Sequence, residues 1–355
     1  MKDRLPVNET NLFKSELSKF LLGFEPYEAD FYKRRIGEAH KDPPVISGLY
    51  EQLETFSKGG KKMRAFFVHL GYLIGGGKNT DEVLPIALAF ELSQNFLLIH
   101  DDIMDNSDTR RGKPTVHRKY AEKFGDDYGV NMAITLGDTA SVEVFGVISE
   151  SSLSDSKKVM CIRELAKILR KTAFGQALDI EYAFSGATID EAKQVADLKS
   201  AWYSVVGPLL VGAKLADAPE DVQEVIVRFG ENAGLVFQFR DDILGLFGDK
   251  ETIGKSILSD MREGKNTVLI NKTRELASDS QRSEIDAIWG NPASSQEDLE
   301  KMRQIVSGCG ALKWMEEENE RLIDKSRSEI DAMTKDHKLR QVLSQLANYF
   351  VSRER

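Results

Sequence analysis

An all-α fold is expected from three features of this 355-residue chain. Only nine prolines are present, helix-forming residues dominate, and apolar positions recur every three to four residues over long stretches. Hydrophobic residues make up 41% and charged residues 30%, enough for a large core under a polar surface. The chain is long for one domain, but no internal repeat, low-complexity tract or long linker asks for a boundary. A single large helical domain over residues 1–355 is the economical reading, and the charged clusters described below suggest a central cavity within it.

Taken in order, residues 8–57 predict two or three short amphipathic helices, punctuated at Gly23-Phe24-Glu25-Pro26 and Pro43-Pro44. Gly59-Gly60 marks a break, after which a helix runs from Lys61 to the glycines at 75–77. From Thr80 to Asp105 the positions Leu84, Ala87, Phe90, Phe96 and Ile99 carry helical periodicity, with Asn95 a polar intruder. Glycine and proline at 112–114 end that element. Further helices are expected over 127–150, 155–184, 189–206, 208–216 and 219–248, with a break or kink at Pro208. The charged, glycine-containing stretch 249–266 predicts a loop, and 279–355 predicts three or four amphipathic helices.

The net charge of -9 argues against a general nucleic-acid binder, whose affinity rests on a cationic face. Cys161 and Cys309 fit no metal-ligand spacing and suggest reduced thiols. The opening residues lack the apolar core of a signal peptide, and apolar runs are broken by charge before they could span a bilayer. A cytoplasmic protein without a transmembrane segment is expected.

The chemistry concentrates in two aspartate pairs about 140 residues apart. The first is Leu97-Leu98-Ile99-His100-Asp101-Asp102-Ile103-Met104-Asp105, followed by Arg110-Arg111-Gly112; the second is Phe237-Gln238-Phe239-Arg240-Asp241-Asp242. Carboxylates in apolar runs are expensive to desolvate without a partner. Asp101 and Asp105, four apart, would stack about 6 Å from one another on one helix face, a spacing suited to a hard cation with open positions for phosphate oxygens. A lone acid pair of this kind is usually a solvated helix end. Two such pairs flanked by cations point instead to a divalent metal and a polyanion such as diphosphate. Lys61 and Arg64 follow the glycine break close to a helix start, where backbone donors also favour anions. Lys199, Lys255 and Lys265 punctuate apolar or glycine-rich stretches. Each alone reads as a surface lysine; together they exceed what one diphosphate needs and suggest two anionic substrates. His100 reads better as a hydrogen-bonded core histidine than as a catalytic group, and no nucleotide-binding glycine loop is present.

At these residues, over about 57–275, the chain resembles the trans-isoprenyl diphosphate synthases. Gly60-Lys61-Lys62-Met63-Arg64 is similar to the family's G-K-x-x-R element, Asp101 to Gly112 to its first aspartate-rich motif, and Lys199-Ser200 to its usual Lys-Thr. Phe237 to Asp242 resembles the second aspartate-rich motif, and Gly254-Lys255 with Gly264-Lys265 its following lysines. Gly245 departs from the pattern by replacing the third aspartate of D-D-x-x-D, with Asp249 one turn farther on. The resemblance implies a homodimeric, Mg²⁺-dependent prenyltransferase of short-chain type, making geranylgeranyl or farnesyl diphosphate. It implies an allylic diphosphate on Mg²⁺ held by Asp101, Asp105 and Asp241, with Arg110, Lys199, Ser200, Gln238, Lys255 and Lys265 around its phosphates. Isopentenyl diphosphate would sit on Lys61, Arg64, Arg111 and Gln94, and Phe96 and Leu97 would help set product length. The rivals are a class I terpene cyclase, which needs no isopentenyl site, and a non-catalytic partner subunit.

Overall fold

The computed structural model describes residues 11–248 and 258–352. Asp249, Gly254 and Lys255 therefore lie outside the described residues.

The chain opens with α1 (Leu12–Ala39), capped by the Asn11 side chain accepting from the Lys14 N–H. Contrary to the expected break, α1 runs unbroken through Gly23 and Pro26. Proline inside a helix costs about 3 kcal/mol. Phe20, Phe24, Phe31 and Tyr32 are buried on both sides of it, each contributing roughly 1.5–3 kcal/mol, so tertiary burial outweighs the local penalty. Next come α2 (Pro44–Ser57) and α3 (Met63–Ile74). The latter starts two residues later than expected, because Lys62 takes a left-handed conformation, φ 54°.

At the centre stands α4 (Leu84–Met104), buried along most of its length. A two-residue hairpin follows, β1 (Thr109–Arg110) against β2 (Lys113–Pro114), the only strand pairing among the described residues. Then come α5 (Val116–Phe124), α6 (Asp126–Ser149) and α7 (Asp155–Ser185). By length and composition, Thr80–Met104 and Asp126–Ser149 could each cross a membrane, so charge does not interrupt the apolar runs as strictly as expected. Burial accounts for much of this composition, since α4 packs against α6 and α3 inside the protein.

A continuous helical path follows: α8 (Ile189–Val195), a π-helical stretch Ala196–Val206, and α9 (Gly207–Leu215). Pro208 does not break it. The wider turn, with the Gly207 N–H bonded to the Trp202 carbonyl, ends just before the proline ring. The long α10 (Glu220–Phe247) packs on this stretch. Within the expected loop lies a short helix, α11 (Ser259–Glu263). The remainder is α12 (Val268–Leu276), α13 (Asp279–Ile288), α14 (Gln296–Gly308), α15 (Ala311–Met333) and α16 (His337–Ser352). Ser278 and Ser295 form capping boxes, the local signal that starts α13 and α14. Through Phe13, Phe66, Phe67, Tyr349 and Phe350, α16 packs on α1 and α3, and Tyr349 meets Lys61 in the loop before α3.

Candidate active site

The first acidic wall is the last turn of α4. Carboxylates there face the negative end of the helix dipole and need positive partners. Asp102, 1% exposed, receives the Arg110 Nε at 2.8 Å on both oxygens, and the Arg110 Nη2 stands 2.7 Å from its Oδ1. Burial works against the Arg110 charge, but Asp102, Asp101 and Asp105 outweigh it and hold the guanidinium firmly protonated. The hairpin β1–β2 makes this possible by folding Arg110 back onto the helix end.

Arg111 turns the other way. Its φ of 52° is left-handed, and its Nη1 donates to the Phe56 carbonyl at 3.2 Å, beside Gly60. Burial, with Arg110 and Arg64 nearby, lowers its pKa. Adjacent arginines thus serve opposite sides of the site.

Two lysines cross from other elements to the first wall. Lys199 Nζ lies 2.6 Å from Asp179 Oδ2 and 3.4 Å from Asp101 Oδ1. It can do so because the π-helical stretch presses on α7 at Gly175, where any Cβ would collide with the Lys199 backbone. Lys265 Nζ lies 2.9 Å from Asp105 Oδ2, 3.1 Å from Glu263 and 3.5 Å from Asp260. Burial opposes both ammonium charges, yet the surrounding carboxylates raise both pKa values.

The second wall is on α10. Asp241 shares a face with position 245, and the Gln238 Nε2 donates to Asp242 Oδ1 at 2.7 Å. Burial, with Asp260, Asp241 and Asp179 adding negative field, pushes Asp242 up to about 8. Arg110 and Gln238, both expected near phosphates, each bond to an aspartate of their own motif, because a buried carboxylate takes the nearest donor.

A third group lies around the glycine loop. Lys61 Nζ donates to the Tyr349 hydroxyl at 2.6 Å. Arg64 Nη2 donates to Ser204 Oγ at 2.6 Å, with its guanidinium 4.6 Å above the Tyr203 ring. The Tyr203 hydroxyl donates to Gln94 Oε1 at 2.9 Å, tying Gln94 into the same group. Lys62 anchors the loop from beneath, its ammonium buried on Glu28 at 2.8 Å and on the Ser57 carbonyl at 2.9 Å.

Of the remaining expected residues, Ser200 follows Lys199 in the π-helical stretch, half-buried. Phe96 and Leu97 are half-buried on α4, one turn before Asp101. The Phe96 ring stands 6.1 Å from His100, whose Nε2 is 3.3 Å from the Ile134 carbonyl on α6, as a packed, hydrogen-bonded histidine should. Sequence reasoning missed Asp179, Asp260, Glu263, Tyr203 and Tyr349. Single polar residues on otherwise ordinary helices carry no local signal; only the spacing of Asp260 and Glu263 before Lys265 offered a hint.

The donor set facing the two walls is all oxygen, which suits a hard divalent cation. Among the described residues no three Asp, Glu, His or Cys side chains converge as a ready-made metal cage.

A family profile described as polyprenyl synthetase matches residues 47–306. The short chain isoprenyl diphosphate synthase of Methanocaldococcus jannaschii is 33% identical over 289 residues, spanning 75% of this chain and 82% of that protein. The geranylfarnesyl diphosphate synthase of Aeropyrum pernix is 32% identical over 323 residues, 88% of this chain and 95% of that one. The crystal structure of geranylgeranyl pyrophosphate synthase from Corynebacterium glutamicum, complexed with isoprenyl diphosphate and magnesium, matches with a TM-score of 0.83 at 29% identity, over 96% of this chain and 98% of that one. The profile spans most of the chain, and its relatives align across most of their own length. The chain belongs to the polyprenyl synthetase family and is a prenyltransferase of the short-chain trans-isoprenyl diphosphate synthase type.

Proposed function

We propose that this protein condenses isopentenyl diphosphate head to tail with an allylic diphosphate, giving geranylgeranyl or farnesyl diphosphate. One observation carries this reading: the site has two different anion-directed surfaces. One is a pair of acidic walls threaded by Lys199 and Lys265; the other is the cationic group of Lys61, Arg64 and Arg111. A terpene cyclase would need only the first.

Asp101, Asp105 and Asp241 would hold Mg²⁺, which supplies Lewis-acid charge to the departing diphosphate when bound. Lys199 and Lys265, which stand against Asp101 and Asp105, would face the phosphates of the allylic substrate. Lys61, Arg64 and Arg111 would grip isopentenyl diphosphate, and Gln94, whose Oε1 accepts from the Tyr203 hydroxyl, would offer its amide to that substrate. The allylic C–O bond then breaks, the isopentenyl double bond forms the new C–C bond, and a proton leaves to the released diphosphate. Preorganised cations at the point where negative charge develops are the main catalytic contribution of the protein. Arg110 keeps the first wall in register through Asp102.

Phe96, half-buried on α4 and packed on His100, supports the short-chain reading as a floor for the growing product. Phe96→Ala is expected to shift the longest major product upward by at least one five-carbon unit; an unchanged profile removes Phe96 from that role. The exposed stripe Ile134, Val142 and Phe145 on α6 supports self-association as a homodimer. A cytoplasmic location completes the proposal.

The test is incorporation of labelled isopentenyl diphosphate with dimethylallyl, geranyl or farnesyl diphosphate as primer, followed by chromatography of dephosphorylated products. Chelator-sensitive incorporation ending at farnesyl or geranylgeranyl length is expected. Folded protein that incorporates nothing with any primer would return the chain to the partner-subunit reading.

A further inference from the structure

The departure at Gly245 has a counterpart in space. A carboxylate at 245 would project from the same face of α10 as Asp241, four residues earlier. A Cβ built at Gly245 instead collides with the Asp260 Oδ2, so that oxygen already occupies the place where a side chain at 245 would begin. We infer that Asp260, delivered by α11, takes the part of the missing third carboxylate of the second wall, and that Gly245 is the gap that admits it. This rests on the metal–diphosphate reading given above.

Three observations beyond the collision support this assignment. First, Asp260 is held with its oxygens divided. While Oδ2 lies over Gly245, Oδ1 faces the Lys265 ammonium at 3.5 Å, and that same ammonium reaches Asp105 of the first wall at 2.9 Å. Asp260 therefore stands at the junction of the two walls. Second, its backbone is fixed. Gly264, with φ 71°, ends α11; the Lys265 N–H bonds back to the Asp260 carbonyl at 3.2 Å; and the Trp289 Nε1 donates to the Lys265 carbonyl at 3.0 Å. Third, a cavity of about 10 Å³ is lined by Asp242, Gly245, Asp260 and Trp289. That is room for about one water and too little for an added side chain. Glycine at 245 thus leaves the Asp260 carboxylate in place, where a larger residue would push it aside.

A purely structural Asp260, serving only as counter-ion to Lys265, makes a different prediction, so the two can be separated. The readout is the Mg²⁺ concentration giving half-maximal binding of inorganic diphosphate, measured by titration calorimetry on the full-length protein. Thermal unfolding of each metal-free variant establishes that it is folded. Asp260→Asn, close in shape, is expected to raise this concentration about tenfold, the lower end for outer-shell partners of a metal. The double variant Gly245→Asp with Asp260→Ala moves the carboxylate back onto α10 and is expected to return within about threefold of the parent, whereas Asp260→Ala alone does not. The inference is overturned if Asp260→Asn stays within about threefold of the parent, or if the double variant is no better than Asp260→Ala. Parent protein that binds diphosphate equally with and without Mg²⁺ would overturn the functional reading as well. Parent protein that shows the metal dependence while the variants do not respond sinks only the assignment of Asp260.

Discussion

The two acidic walls begin from the same aspartate doublet and are stabilised in opposite ways. On α4 the acids sit in the last turn, against the unfavourable end of the helix dipole, and the chain answers locally: a hairpin returns Arg110 to Asp102, eight residues away. On α10 the doublet lies inside a helix that runs on to Phe247, and Asp242 is supported by Gln238 one turn before. The rest of that wall comes from beyond the helix, through Asp260, Glu263 and Lys265. A wall completed locally leaves its whole pattern in consecutive residues. A wall completed from another element can lose a residue of its pattern, as at Gly245, and recover the charge from elsewhere.

The contrast can be broken at several points. Removing a carboxylate of the first wall should have the largest effect. Asp101→Ala is expected to lower kcat/KM on the order of 10³-fold, since a metal contributes several kcal/mol of charge stabilisation and about 1.4 kcal/mol is tenfold. A loss below about tenfold in steady-state kinetics would show that the first wall is not where the charge of the leaving group is met.

Arg110→Ala tests the local lock. It leaves Asp102 buried without its guanidinium, so unfolding in urea should show a loss of about 3–5 kcal/mol. A loss under about 1 kcal/mol would mean that Asp102 finds another partner and that the hairpin is dispensable.

Arg111→Ala should separate the two anion surfaces. Losing a charge-assisted contact of about 1.5–3 kcal/mol predicts a KM for isopentenyl diphosphate raised roughly 10- to 100-fold, with the KM for the allylic primer nearly unchanged. Equal rises in both would merge the surfaces into one.

The smallest effect concerns the π-helical stretch that carries Lys199. Burial, reinforced by Glu231 and offset in part by Lys171, raises Asp197 from 3.8 to about 6. The folded protein therefore holds more protons there than the unfolded chain between those values, and the contribution of Asp197 to stability falls as pH rises through that window. Asp197→Asn should gain stability relative to the parent on going from about pH 4 to pH 7, read from urea midpoints. A difference between the two proteins that does not change with pH would contradict the burial.

Much of the architecture is legible in the sequence, because long amphipathic helices and their caps are local properties. The bounds expected near 127–150 and 155–184 match α6 and α7 closely. Pro26 misleads because four aromatic residues pinned against the core outweigh one lost hydrogen bond. The π-helical stretch escapes notice because its cause, close approach of α7 at Gly175 and of α10 at Gly234, is tertiary. The site shows the same divide. Lys61, Arg64, Asp101, Asp105, Lys199 and Lys265 stand out as charges set in apolar or glycine-rich stretches. Their partners Asp179, Asp260 and Tyr349 are single polar residues whose meaning arises only when distant elements meet.

The acidic walls and the Lys61–Arg64–Arg111 group are proposed as two sites with different charge logic. The most direct measurement is calorimetric binding of geranyl thiolodiphosphate and of isopentenyl diphosphate, each separately, with Mg²⁺ and with chelator. The allylic analogue is expected to bind at least 100-fold more tightly with Mg²⁺, whereas isopentenyl diphosphate should change by no more than a few-fold. Equal dependence of both ligands on Mg²⁺ would contradict it.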